Sequence, residues 1–233
     1  MTTLETLYTG IGGTFVTPPE ILSKKMDQIK AFVFDWDGVF NDGQKMSTGG
    51  SSFSEVDSMG TNLLRFSHYL RHGQLPLTAI LSGEKNETAF YFSERECLNY
   101  SFYKVPHKLT ALQYFCEKHQ LRPEEIAFFF DDVLDLPLAE VCGLRILINQ
   151  GVNPQFLAYC KKHNLVDYLT SVRGGSFAVR ESAELLISLN NNYEEVITGR
   201  KINSEAYQTY ISERRLVRPG FYTLGPQGIE ERL

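Results

Sequence analysis

The sequence predicts an α/β fold built on a doubly wound parallel sheet. Three observations lead there: short, almost wholly apolar runs recur along the chain, each is followed by an amphipathic stretch, and several end in acids or hydroxyls. The runs are 31–34, 77–81, 100–103, 126–130 and 144–148. A strand with one wet face would alternate; continuous apolar runs mean that both faces are covered. Helical segments are expected between them, at about 60–72, 86–98, 109–119, 136–142 and 154–163. Strands separated by helices form parallel βαβ units, with crossovers on both faces of one sheet.

Taken in chain order, Thr17-Pro-Pro-Glu20 has the form of a capping box with prolines in the first turn, so a short helix is expected from Pro18. The segment 39–56 breaks the alternation, with Gly49-Gly50 at its centre and no helical period. It is expected to form a β-hairpin that projects from the first strand as a flap. The helix after it shows one broad apolar face through Leu63, Leu64, Phe66 and Leu70, and stops at Gly73. Beyond Asn190 the composition turns polar and aromatic, and a helix over 193–215 followed by a loop is expected. Three parts result: an N-terminal extension (1–28), a core (29–190) and a C-terminal helical extension (191–233).

Charge and composition narrow the function. The 233 residues carry 28 acidic and 23 basic side chains, a net charge of −5, which lacks the footprint of a nucleic-acid binder. No apolar stretch approaches the roughly 18 residues of a membrane span, and the N-terminus has no signal-peptide pattern. The four cysteines show no C-x-x-C spacing and read as small buried hydrophobes. A cytoplasmic protein without nucleic-acid or membrane partners is expected. His68 and His72, one helical turn apart, read as a helix C-terminal pair rather than as zinc ligands.

In such sheets ligands bind beyond the carboxyl ends of the strands. There the sequence places Asp35-Trp36-Asp37-Gly38, Ser82-Gly83, Lys108 and Asp131-Asp132, with Asp135 one turn on. Paired acids beyond an apolar strand are costly to desolvate without compensation, and a hard divalent cation removes that cost. A carboxylate nucleophile, a metal and donors for phosphate oxygens together suit phosphoryl transfer. A receiver domain also pairs acids with a lysine, but its acid pair precedes the acceptor aspartate, and here D-x-D comes first.

This order resembles the haloacid dehalogenase-like (HAD) phosphatases: VFDWDG matches their first motif, LSG the second, Lys108 the third and DDVLD the fourth. The short spacings leave no room for a large cap domain. Within the superfamily the chain looks most like the capless 3-deoxy-manno-octulosonate 8-phosphate phosphatases, through DGVFNDG, FSEVDSMG, DDVLDLPLAEVCGLRI and GGSFAVRE. The resemblance implies Asp35 as nucleophile, Asp37 as general acid and base, and Ser82 and Lys108 as phosphate ligands. It implies Mg²⁺ between Asp35, the carbonyl of Asp37 and Asp131, with Asp132 or Asp135 in support. It also implies a small phosphorylated metabolite as substrate and a homotetramer whose flap or tail crosses an interface; substrate contacts are expected at Gly83, Asp57, Arg180 (which could equally be structural) and Lys85, the last as a substitute for a missing arginine.

Departures from the family pattern are equally specific. Arginines expected on the flap return, after the second motif and on the following helix are Val56, Glu84 and Phe92. The acid expected before the third-motif lysine is His107, and the glycine expected to open the fourth motif is Phe130, which would crowd the metal site. These departures motivate a competing expectation, a catalytically idle relative that binds a ligand or partner. The five retained groups, Asp35, Asp37, Ser82, Lys108 and Asp131, favour the phosphatase.

Overall fold

The computed structural model describes residues 3–45 and 51–232. Its elements run α1 (Thr3–Gly10), β1 (Thr14–Phe15), α2 (Pro19–Met26), β2 (Ala31–Asp35), α3 (Glu55–His72), β3 (Leu77–Leu81), α4 (Glu87–Arg95) and β4 (Tyr100–Phe102). There follow α5 (Lys108–His119), β5 (Ile126–Phe130), α6 (Leu136–Ala139), β6 (Leu144–Leu147), α7 (Pro154–Lys162) and β7 (Tyr168–Leu169). The chain ends with α8 (Ala178–Leu189), α9 (Tyr193–Lys201), α10 (Glu205–Arg214), β8 (Gly220–Gly225) and β9 (Gly228–Glu231). One sheet has the order β1-β7-β6-β5-β2-β3-β4-β8-β9. Its pairs are parallel except at the two ends, β1 with β7 and β8 with β9.

Successive strand residues point to opposite faces, and the core divides accordingly. Phe32 and Phe34 on β2, with Phe129 on β5, belong to one buried cluster that also holds Leu63 and Phe66 of α3 and Leu185 and Leu186 of α8. Ala31, Val33, Phe128 and Phe130 belong to the other, with Leu112 and Phe115 of α5. The uninterrupted apolar runs are therefore the signature of two covered faces. Chain order reverses at β2, which lies between β3 and β5, so the switch point where ligands gather falls at the end of β2.

Several expectations are corrected. The tip of the expected hairpin, 46–50, lies outside the described residues; its flanks 39–45 and 51–54 carry no strand pairing, and Glu55 and Val56 already open α3. Ser54 accepts from the Val56 N–H, so a side-chain cap starts that helix earlier than its apolar period suggests. The Thr17 capping box does not form: Thr17 Oγ1 donates to buried Asp167 instead, at 2.6 Å. The helix expected over 193–215 is two helices, interrupted near Asn203 at φ +51°. The loop expected after it is a pair of strands, and β8 continues the central sheet beside β4. No helix among the described residues is long and apolar enough to cross a membrane.

Asp57 and Arg180, both expected at the substrate, are packed elsewhere. Asp57 is fully buried on α3 and accepts the Arg180 N–H in the first turn of α8 at 2.8 Å. The Arg180 guanidinium pairs with Glu184, one turn along. The carboxylate completes a helix N-terminus across the α3–α8 contact, a structural task. Burial pushes Asp57 up to about 6, against the helix N–H groups and Arg180. A raised carboxyl pKa favours the folded state at low pH, and that contribution is lost as pH rises from about 4 to about 6. Asp57→Asn is expected to gain roughly 2 kcal/mol on the wild type between pH 4 and pH 7, read by denaturant unfolding.

Candidate active site

The acids and the hydroxyl of the motifs sit where strands end, and the lysine opens the helix after the fourth. β2 delivers Asp35, buried at 6% exposure, and the chain turns sharply after it. Gly38 makes that turn at φ +84°, and a Cβ there would lie 2.0 Å from Asp131 Oδ2, so only glycine fits. Asn41 fixes the turn by donating to the Trp36 carbonyl at 3.2 Å and accepting the Gly43 N–H at 3.0 Å. Gly174 packs against it from the loop before α8; a Cβ there would meet the Gly38 carbonyl at 2.0 Å. Ser82, buried beyond β3, accepts the Glu84 N–H at 3.2 Å.

Lys108, the first residue of α5, is buried and donates to Asp35 at 2.5 Å and to Asp135 at 2.6 Å. One carboxylate oxygen from each of Asp35, Asp131 and Asp135 lies within 4.8 Å of the others. Three carboxylates face one ammonium, a local excess of negative charge. Burial, together with Asp135, pushes Asp35 up; burial, with Asp35 and Asp135, pushes Asp131 up. Burial works against the charge on Lys108, yet the two carboxylates it bridges hold its pKa above the ordinary lysine range. A divalent cation with a preference for hard oxygen donors fits this set, since it would balance the excess and relieve the repulsion.

A cleft of about 710 Å³ opens over the cluster, lined by Asp35, Asp37, Ser82, Gly83, Lys108 and Asp131, among others. All six of the expected catalytic and metal residues, Asp132 included, line it. Two expected side chains, those of Asp132 and Lys85, take other places. Asp132 lines the rim, but its carboxylate caps the turn Val133–Asp135 through the Val133 N–H at 2.7 Å. Asp135 occupies the inner position instead, because that turn aims it back at Lys108. Lys85 pairs with exposed Glu87 and sits over the Phe90 ring, outside the lining of the cleft. The carboxylate of Asp37 stands outside the cluster, engaged by Lys45 and by Ser51 at 2.9 Å.

The departures resolve in different ways. Phe130 does not crowd the site: it is fully buried on the opposite side and stacks on Phe128 with centroids 5.5 Å apart. Phe92 belongs to an aromatic cluster with Trp36, Phe40 and Phe53, where a guanidinium would find no water. Glu84 and His107 are exposed and line the cleft, whereas Val56 borders another groove. The two ring nitrogens of His68 face the carbonyls of Gln74 and Ile29 at 3.2 and 3.1 Å, where only a protonated nitrogen donates, and neither is left for zinc. Restoring the family glycine by Phe130→Gly is expected to cost about 4 kcal/mol in denaturant unfolding, with no gain in turnover.

Gln150 escaped the sequence reading. Its amide donates to Asp131 and to the Gly38 carbonyl, both at 2.9 Å, and ties the fourth motif to the first. Nothing in its neighbourhood announces it, since it lies in a loop well beyond both partners.

Comparison with known proteins fits this geometry. No protein-family model matches the chain. A 3-deoxy-D-manno-octulosonate 8-phosphate phosphatase from Escherichia coli is 27% identical over 179 residues, covering 73% of this chain and 86% of its own. The corresponding Yersinia pestis protein is 26% identical, over 71% and 83% of the two chains. Among solved structures, the Moraxella catarrhalis phosphatase of the same name superposes with a TM-score of 0.65 at 26% identity. It covers 77% of this chain and 97% of its own, and was solved with magnesium, phosphate and KDO.

The chain is a phosphatase similar in sequence and fold to the HAD-type enzymes.

That structural relative was solved with magnesium, and this chain brings three carboxylates together beyond its strand ends. The phosphatase keeps the strand-end acids, hydroxyl and ammonium of the resemblance, and differs in what surrounds them. Where a guanidinium was expected after the second motif, its cleft presents the Glu84 carboxylate.

Proposed function

We propose that this phosphatase hydrolyses a sugar-acid phosphate of the 3-deoxy-octulosonate class with Mg²⁺, through an aspartyl-phosphate on Asp35. The observation that carries the reading is the buried trio Asp35, Asp131 and Asp135 with Lys108 between two of them. Mg²⁺ would be held by Asp35 and Asp131, with Asp135 beside them and the Asp37 carbonyl in place of its carboxylate. When bound, it supplies charge neutralisation between an anionic nucleophile and an anionic phosphate.

The residues divide the remaining work. A carboxylate oxygen of Asp35 attacks phosphorus while the bond to the leaving oxygen breaks, and that oxygen takes a proton from Asp37. Water then gives a proton to Asp37 and attacks phosphorus, which frees inorganic phosphate and regenerates Asp35. Lys108 holds Asp35 oriented, and with the Ser82 hydroxyl meets the phosphoryl oxygens. The floor of the cleft is buried, so these interactions act at low dielectric.

The test is phosphate release from sugar-acid phosphates and neutral sugar phosphates of matched length. Sugar-acid phosphates are expected to show the higher kcat/KM. The reverse order would move the substrate to a neutral sugar phosphate, in keeping with Val56, Glu84 and Phe92 standing where arginines were expected.

A cytoplasmic setting is supported by four free cysteines, three of them buried. A homotetramer is supported by a groove bordered by half-exposed Leu7, Ile11, Val56 and Phe177. Sedimentation is expected to show four copies per particle; a monomer at micromolar concentration would contradict it.

A further inference from the structure

Trp36 and Ser51 take no part in the mechanism above, yet both are buried beside it. Trp36 lies between the two motif aspartates, and alternation along the strand end turns its ring away from the cleft. Its indole N–H donates to Ser51 Oγ at 2.9 Å. The Asn86 amide donates to the same oxygen at 2.6 Å. The orientation of that amide is fixed, because Asn86 Oδ1 already accepts the Thr88 and Ala89 N–H groups at the start of α4. A hydroxyl oxygen has two lone pairs, and here both are used. The Ser51 proton is thereby left with one destination, Asp37 Oδ1 at 2.9 Å. Lys45 engages Oδ2 of the same carboxylate.

We infer that Ser51 is a positioning residue, which sets the Asp37 carboxylate for proton transfer and makes that transfer depend on the seating of residues 51–54. This inference rests on the proposed role of Asp37. Two chain segments anchor the hydroxyl, the first motif through Trp36 and α4 through Asn86. The carboxylate it holds stands outside the acid cluster, where neither Lys108 nor the metal would orient it.

The readout is leaving-group dependence. An alkyl phosphate needs a proton on its departing oxygen, whereas para-nitrophenyl phosphate departs without one. Ser51→Ala is expected to lower kcat/KM at least tenfold for an alkyl phosphate and less than threefold for para-nitrophenyl phosphate. Ser51→Thr, which keeps the hydroxyl, is expected to recover most of the loss. Asp37→Asn serves as the reference and is expected to show the same selectivity in larger measure. Equal losses on both substrates for Ser51→Ala, with Asp37→Asn still selective, would overturn the positioning role alone. An Asp37→Asn variant with no selectivity would overturn the acid–base role and the inference with it. Crystal structures of the variants give a reading without activity. Asp37 is expected to leave its position in Ser51→Ala and keep it in Ser51→Thr; an unmoved Asp37 in Ser51→Ala would contradict the inference.

Discussion

Asp35→Asn is expected to lose phosphate release by on the order of 10⁴-fold or more while the protein stays folded. The amide keeps the size and most hydrogen-bonding capacity of the carboxylate but is no nucleophile, and removal of a nucleophile leaves only binding and electrostatic contributions. The same change relieves strain. Asp35 is buried against two further carboxylates with a single ammonium between them. The metal-free variant is therefore expected to melt at or above the temperature of the metal-free wild type, the usual relation between a strained active site and stability. Thermal unfolding beside the activity assay checks both halves. A variant that loses activity by unfolding would instead assign Asp35 a structural task.

Removal of residues 217–233 is expected to have the largest effect on stability. These residues carry β8, which pairs with β4 at Tyr100, Ser101 and Phe102. Tyr222 lies against Tyr100 and Phe102, and the Lys118 ammonium covers the rings of Tyr100, Tyr114 and Tyr222 at 5.0 to 5.5 Å. Truncation would uncover an aromatic face and leave β4 as an unpaired edge, a template for association. Burial of Phe221 and Tyr222 contributes about 5 kcal/mol, so the melting temperature is expected to fall by roughly 10 °C or more. Light scattering should show aggregation near the new transition. An unchanged melting temperature would mean that the last two strands add nothing to the sheet.

The legibility of these features in the sequence follows from the range of the interactions behind them. The five central strands were legible because burial on both faces leaves a local, continuous apolar signature, and their acidic or hydroxylic ends marked the cleft. β8 was not legible: its apolar residues Phe221 and Tyr222 stand between glycines and prolines, and their partners on β4 lie more than a hundred residues away. The choice between Asp132 and Asp135 depends on a single turn in which the first caps and the second points inward. Spacing alone places both near the strand end. The tasks of Asp57 and Gln150 are likewise long-range hydrogen bonds that no local pattern carries.

Phe130 shows how a motif comparison can mislead without the fold. Beside a metal site in sequence, it reads as an obstruction; on the strand, alternation turns its ring into the core while Asp131 faces the cleft. Glu84 is the opposite case. It is exposed in the cleft itself, so its departure from the expected arginine bears on the leaving group that the site accepts.

The most direct test of the central claim is phosphate release from 3-deoxy-manno-octulosonate 8-phosphate by the wild-type protein, in Mg²⁺ and again in EDTA. Steady release in Mg²⁺ that stops in EDTA and is absent in Asp35→Asn is the predicted result. Release that persists in EDTA, or none from a folded protein supplied with Mg²⁺, would contradict it.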